Sequence, residues 1–116
     1  MNRVSLYHNP RCSKSRQALE CLRGANIEPH IIEYLKSPPS LSELDEILNL
    51  LAMQPRELMR KKEAAYKDLA LSDEKLDRQG LLQAMVAHPI LIERPIAVAN
   101  GRAALGRPPE NVLDVL

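Results

Sequence analysis

Cys12 is the residue of this chain best placed to do chemistry. It follows His8-Asn9-Pro10-Arg11, a run of turn-forming residues, and precedes Ser13-Lys14-Ser15-Arg16, where helical spacing begins. A thiol at a helix start meets unpaired backbone N–H groups and the positive end of the helix dipole. Arg11, Lys14 and Arg16 add nearby cations. Such settings draw a cysteine pKa from about 8.5 down to roughly 3.5–7.5. An isolated cysteine is more often buried and inert, but the polar, basic flanks here point to a reactive thiolate. Cys12-Ser13-Lys14-Ser15 keeps the spacing of a redox Cys-x-x-Cys pair with serine in the second place. Ser15 cannot close a disulfide, yet its hydroxyl can hydrogen-bond a thiolate one helical turn away.

The second thiol, Cys21, follows on the same expected helix at a distance of roughly 13 Å along its axis. That exceeds the Cα separation of about 7 Å beyond which a disulfide needs backbone movement. It falls beside Ala18, Leu22 and Ala25 and reads as core. Arg60, Arg94 and Arg107 are candidates for binding an oxyanion, because guanidinium forks suit tetrahedral anions. Arg94 precedes Pro95 and Arg107 precedes Pro108, so both are held out of helical conformation. Spacing alone favours Arg60 as a solvated charge in the run Arg60-Lys61-Lys62, and the other two as ordinary loop residues. His8 could tune Cys12, or could be an exposed loop histidine.

With sixteen basic residues against fifteen acidic ones, the chain lacks the charge that bulk nucleic-acid binding requires. No Gly-rich phosphate loop and no metal-ligand cluster can be read, so neither a bound cofactor nor a metal is expected. No run of 18 apolar residues is present, and residues 1–10 lack the pattern of a secretory signal. The expectation is a cytoplasmic chain without a membrane span, in a compartment where thiols stay reduced. Its 116 residues suit a single domain, 1–116.

Around Cys12 the expected elements are as follows. Arg3 to Tyr7 alternates as a half-buried strand, and a helix runs from about Ser13 with Gly24 as its left-handed cap. His30 to Tyr34 is a second strand, parallel to the first because a helix crosses between them. Residues 40–87 look entirely helical. Ser40 and Glu43 form a capping box, Pro55 opens a second helix through Leu58 and Met59, and Asp73-Glu74 begins a third. Asn100-Gly101 joins two strands, 96–99 and 102–105, as a hairpin, and Pro108-Pro109-Glu110 opens a short final helix to Leu116. The order βαβ, helices, ββα predicts an α/β fold: a mixed four-stranded, thioredoxin-like sheet carrying an all-helical insertion.

These residues resemble the ArsC family of glutaredoxin-coupled arsenate reductases, most closely its short YfgD-like branch and more distantly the Spx regulators. The resemblance runs through Tyr-His-Asn-Pro-Arg-Cys-Ser-Lys-Ser-Arg at 7–16, Glu-Leu-Met-Arg at 57–60, His-Pro-Ile-Leu-Ile-Glu-Arg-Pro-Ile at 88–96 and Gly-Arg-Pro at 106–108. It implies Cys12 as nucleophile, Arg60, Arg94 and Arg107 as an oxyanion-binding trio, and His8 and Ser15 in support of the thiolate. Pro95 matches the place where thioredoxin-like folds set a cis proline beside the active cysteine. The implied reaction is reduction of arsenate with glutathione as co-substrate and glutaredoxin as partner. Two departures stand out. The chain stops at Leu116 where well-known arsenate reductases carry a further tail, and Ser13-Lys14 replaces their Gly-Thr pair. Two rival readings use the same residues: a regulator docking on RNA polymerase as Spx does, or a general glutathione-linked thiol oxidoreductase. Ser15 in place of a second cysteine, together with the three arginines, counts against the first; the second needs Cys12 but not the full trio.

Overall fold

A computed structural model describes residues 3–116, which fall into two compact units, 3–37 with 94–116 and 38–93. The first unit holds strands β1 (Ser5–His8), β2 (His30–Glu33), β3 (Ile96–Ala99) and β4 (Arg102–Leu105), with helix α1 (Ser13–Gly24). The sheet order is β2-β1-β3-β4. β1 runs parallel to β2, with Leu6 beside Ile31 and His8 beside Glu33, and antiparallel to β3, with Leu6 beside Ala97. β3 and β4 form the expected hairpin: Asn100 and Gly101 take φ of 55° and 69°, the two left-handed positions a tight turn of this twist requires. This is the mixed, thioredoxin-like sheet that the sequence leads one to expect.

α1 presents Ser15, Ala18, Leu19 and Leu22 to the interior at helical spacing. The last three pack with Val4, Leu6, Ala97, Ala99, Ala104, Val112 and Val115 in a wholly aliphatic core. Cys21 is only partly buried and lies against the edge of this cluster. Two expectations change here. The left-handed residue after α1 is Asn26, φ 64°, not Gly24: the chain continues helically to Gly24, and Ile27 N–H then returns to the Leu22 carbonyl. The final segment, Pro109–Val115, is a 3-10 helix, and Asn100 Nδ2 donates to the Val115 carbonyl at 2.7 Å.

The second unit contains α2 (Leu41–Leu51), α3 (Ala64–Asp68) and α4 (Arg78–Ala87). The Ser40–Glu43 capping box is formed in both directions, at 3.1 and 2.9 Å. The unit is not entirely helical. The expected Pro55 helix is a single 3-10 turn, Pro55–Leu58, after which Met59 is extended and bridges Ile92 antiparallel. The third helix starts at Arg78 rather than at Asp73-Glu74. Asp77 accepts from Gly80 N–H as its cap, whereas the Asp73 carboxylate is engaged in a turn with Lys75 N–H. Two aspartates four residues apart offered the same capping chemistry, and the one nearer the buried Leu81, Leu82 and Met85 starts the helix. β2 likewise ends at Glu33, one residue short of Tyr34.

Candidate functional site around Cys12

The loop from β1 to α1 is held by its own polar groups. Cys12 N–H donates to the Asn9 carbonyl at 3.0 Å and Arg11 N–H to Asn9 Oδ1 at 3.0 Å. Asn9 N–H donates to Ser15 Oγ at 3.0 Å, and Arg16 reaches back to the Pro10 carbonyl. Asn9 thus organises the loop with three separate groups, a role its Asn-Pro setting signalled only as generic turn chemistry. Cys12 ends up as the N-cap residue of α1, in extended conformation, so its side chain stands over the first turn of the helix.

Burial pushes the Cys12 thiol up, but this is outweighed, and its pKa falls below its ordinary value. The Ser15 N–H contributes most to the lowering, then the charge of Arg94, then the Lys14 N–H and a hydrogen bond from the Arg94 side chain. None of these amide contacts closes a hydrogen bond of full cap geometry; their proximity to the sulfur is what favours the anion. The lowered pKa matches expectation and its origin does not. Arg11, Lys14 and Arg16 are exposed and their side chains contribute no resolved effect, while Arg94, distant in sequence, supplies the cation.

His8 is neither in a turn nor exposed. It is the last residue of β1, 5% exposed, with Nδ1 2.6 Å from Ser15 Oγ. Burial lowers its pKa; Glu33 raises it in part, and Arg23 and Arg16 lower it further. Burial thus favours the neutral imidazole. The Ser15 hydroxyl is accordingly engaged with His8 and Asn9, and it is the Ser15 backbone that favours the thiolate.

Arg94 is 9% exposed and joined to Pro95 by a cis peptide bond. Its buried Nε and Nη1 meet no hydrogen-bond acceptor. Two guanidinium nitrogens left in that state are costly, by roughly 1–3 kcal/mol each, unless something supplies acceptors. Arg107, also followed by a cis proline, donates Nε–H to the Arg94 carbonyl at 3.0 Å. Gly106 N–H donates to the Pro95 carbonyl at 2.8 Å, and a Cβ on Gly106 would stand 2.6 Å from Pro95 Cγ. Only glycine allows that approach, which gives Gly-Arg-Pro a structural meaning beyond its arginine.

The first unit thus links Cys12, Ser15, His8, Arg94, Pro95 and Arg107 by a chain of direct contacts. Arg60 belongs to the second unit. There its backbone N–H donates to the Leu91 carbonyl, and its guanidinium pairs with Glu63 at 2.7 Å and Glu93 at 3.9 Å. Among the described residues no cluster of three or more His, Cys, Asp or Glu could hold a metal, and no helix is long and apolar enough to cross a membrane.

Three relatives match the chain over essentially their whole length. The chain is 51% identical to the protein YfgD of Escherichia coli K12, over 97% of this chain and 96% of that one. It is 49% identical to an arsenate reductase of Neisseria meningitidis serogroup A, covering both chains fully. An arsenate reductase from Vibrio cholerae superposes with a TM-score of 0.95 at 49% identity, over 98% of each chain. The family model for ArsC matches residues 7–115, from Tyr7 at the head of the active loop to the last buried valine. A thiolate-favouring Cys12 on a thioredoxin-like sheet, carried on a sequence matched from end to end, makes this chain a member of the ArsC family.

Proposed function

We propose that this protein reduces arsenate to arsenite, with Cys12 as the nucleophile and a low-molecular-weight thiol as reductant. The observation that carries the reading is Arg94: a buried guanidinium beside a thiolate-favouring cysteine, with two nitrogens that an oxyanion would satisfy. Arg107 braces the Arg94 backbone, and the family resemblance adds Arg60 as the third oxyanion-binding arginine. His8 and Ser15 keep the first turn of α1 in place under the sulfur, and Pro95 sets the direction of Arg94.

The Cys12 thiolate attacks arsenic(V), a sulfur–arsenic bond forms, and one oxygen leaves as water. This is covalent catalysis with charge stabilisation by fixed cations. The thiolate of glutathione then attacks the Cys12 sulfur. A sulfur–sulfur bond forms, the sulfur–arsenic bond breaks, and its electron pair passes to arsenic, which becomes arsenic(III). The resulting Cys12–glutathione disulfide is resolved by a second thiol, with glutaredoxin as the catalyst and the cytoplasm as the compartment that keeps both reduced. Phosphate has the same shape and charge, and is excluded by chemistry, since thiols do not reduce it. The test is arsenite formation with glutathione and glutaredoxin, run beside Cys12→Ser; turnover surviving in Cys12→Ser would refute the assignment.

A further inference from the structure

No second thiol of this chain is placed to regenerate Cys12. Cys21 is free and lies nine residues along the same helix, and Ser15 has no sulfur to offer. The resolving sulfur must come from solution and must be presented to the active loop. A cleft of about 380 Å³ lies directly against that loop. Asn9, Pro10 and Arg11 form one wall; Glu33, Leu35 and Lys36, from the end of β2 and the turn after it, form the other. The pairing of His8 with Glu33 sets the end of β2 level with the start of the loop, so the cleft ends at the residue preceding the nucleophile.

Its size is at the lower end of small-ligand sites, roughly 300–1,000 Å³. Its charges are of both signs. Arg11 and Lys36 are exposed cations, and Glu33 is a partly exposed carboxylate. The Lys36–Glu33 pair is long, 3.8 Å, and the lysine side chain is 80% exposed. Such a pair holds its members weakly, so both charges can turn to a ligand. Leu35, 44% exposed, adds an apolar contact on the same wall.

We propose that this cleft docks the thiol co-substrate, a tripeptide-sized amphoteric thiol whose carboxylates meet Arg11 and Lys36 and whose ammonium meets Glu33. The proposal rests on the thiol-dependent reading above. The docked thiolate forms the sulfur–sulfur bond to Cys12, arsenic leaves with the electron pair, and the thiol's proton ends on arsenite.

The test needs no arsenate. In the Cys21→Ser protein, the Cys12 thiolate attacks glutathione disulfide, giving the mixed disulfide and one released glutathione; hydroxyethyl disulfide undergoes the same exchange without charged groups. The two rates are measured in Lys36→Glu and in Arg102→Glu, an exposed arginine on the opposite edge strand that makes the same change in net charge. The preference for glutathione disulfide over the neutral disulfide should fall about tenfold in Lys36→Glu, equivalent to ~1.4 kcal/mol, and should hold in Arg102→Glu. An unchanged preference in Lys36→Glu, or an equal fall in both variants, would overturn the cleft as the docking site. Arsenate turnover is assayed separately. A selective fall without arsenate turnover removes the proposed substrate and keeps the cleft; turnover with an unchanged preference does the reverse.

Discussion

Replacing Gly106 by alanine tests whether the geometry behind Cys12 is as tight as it looks. An ideal Cβ there would lie 2.6 Å from Pro95 Cγ, 3.3 Å from Pro95 Cδ and 3.0 Å from Val112 Cγ1. Ordinary contact begins at 3.4 Å, so the proline ring has to retreat by 3.4 − 2.6 = 0.8 Å. A proline ring can shift its Cγ only by changing pucker, and Val112 is fully buried on the other side. Overpacking of this kind costs about 1–3 kcal/mol. For a chain of this size that lowers Tm by roughly 4 °C per kcal/mol, hence by about 4–12 °C. Pro95 is bonded to Arg94, so part of the shift is passed to the guanidinium that faces Cys12. Misplacement of a positioning group by about 1 Å costs up to ~10²-fold in rate, and a loss of about 10- to 100-fold in arsenate turnover is expected. Gly24→Ala is the control: nothing stands within 4 Å of its Cβ and its φ is not positive, so the change is neutral or stabilising by ~0.4–1 kcal/mol. Melting curves and arsenite formation read both variants. Wild-type Tm and turnover in Gly106→Ala would refute the contact and the argument built on it.

Alkylation rate against pH in Cys21→Ser should show Cys12 titrating below the ~8.5 of an unperturbed thiol, and Arg94→Ala should move the midpoint up; a midpoint at or above about 8.5 in the parent would sink the thiolate account. Arg107→Ala should slow arsenate turnover at least about tenfold with the fold retained, and Arg107→Lys should not restore it, because an ammonium lacks the planar fork that can hold the Arg94 carbonyl through Nε–H and present its other donors to an oxyanion. Intact mass after turnover with glutathione should reveal an adduct on Cys12, and Cys21→Ser should remain active; a Cys12–Cys21 disulfide found by peptide mapping would refute resolution by an outside thiol. His8 is held below its ordinary 6.5, so its contribution to stability is fully present above that pH and declines as the pH falls, because the unfolded chain takes up the proton first. Urea unfolding between pH 7 and 5 should lose at most ~1.4 kcal/mol per pH unit through this group, and His8→Gln should flatten the slope; an unaltered slope in His8→Gln would exclude His8 as its source.

The strands, the parallel crossover and the Asn100-Gly101 hairpin were legible because each follows from a local rule: alternation, connection length, or a turn that needs two left-handed residues. The place of Cys12 was legible for the same reason, since a break between strand and helix is local. The errors share a different cause. Gly24 and Asn26 compete as helix caps, as do Asp73 and Asp77, and packing of Leu22 or Leu81 decides between them. His8 reads as a turn residue until β1 is extended by pairing with Glu33 and the imidazole meets Ser15. Arg94 lies 82 residues beyond Cys12, and no periodicity joins them. Its place before Pro95 made that arginine a candidate, and the resemblance of the whole set of motifs raised it above an ordinary loop residue. Gly106 was visible as part of a motif, but its purpose emerges only from a carbon placed against Pro95.

The physical problem at this site is that two anions must meet. A thiolate and an oxyanion at about 4 Å repel by ~1 kcal/mol in water and by ~4 kcal/mol at an effective dielectric of 20. Exposed cations such as Lys14 and Arg16 would be screened by solvent and salt and could offset little of this. Arg94 differs in being buried: its charge and side-chain hydrogen bond lower the Cys12 pKa before any substrate arrives, and its Nε and Nη1 lack acceptors. One guanidinium can therefore stabilise the nucleophile and attract the electrophile's oxygens without either interaction displacing the other. A lysine at 94 could supply the charge but not this division of donors. The Gly106–Pro95 contact and the Arg107 hydrogen bond then fix the backbone on both sides of that guanidinium. Much of the chemistry is thus set by groups more than eighty residues away from the cysteine that performs it.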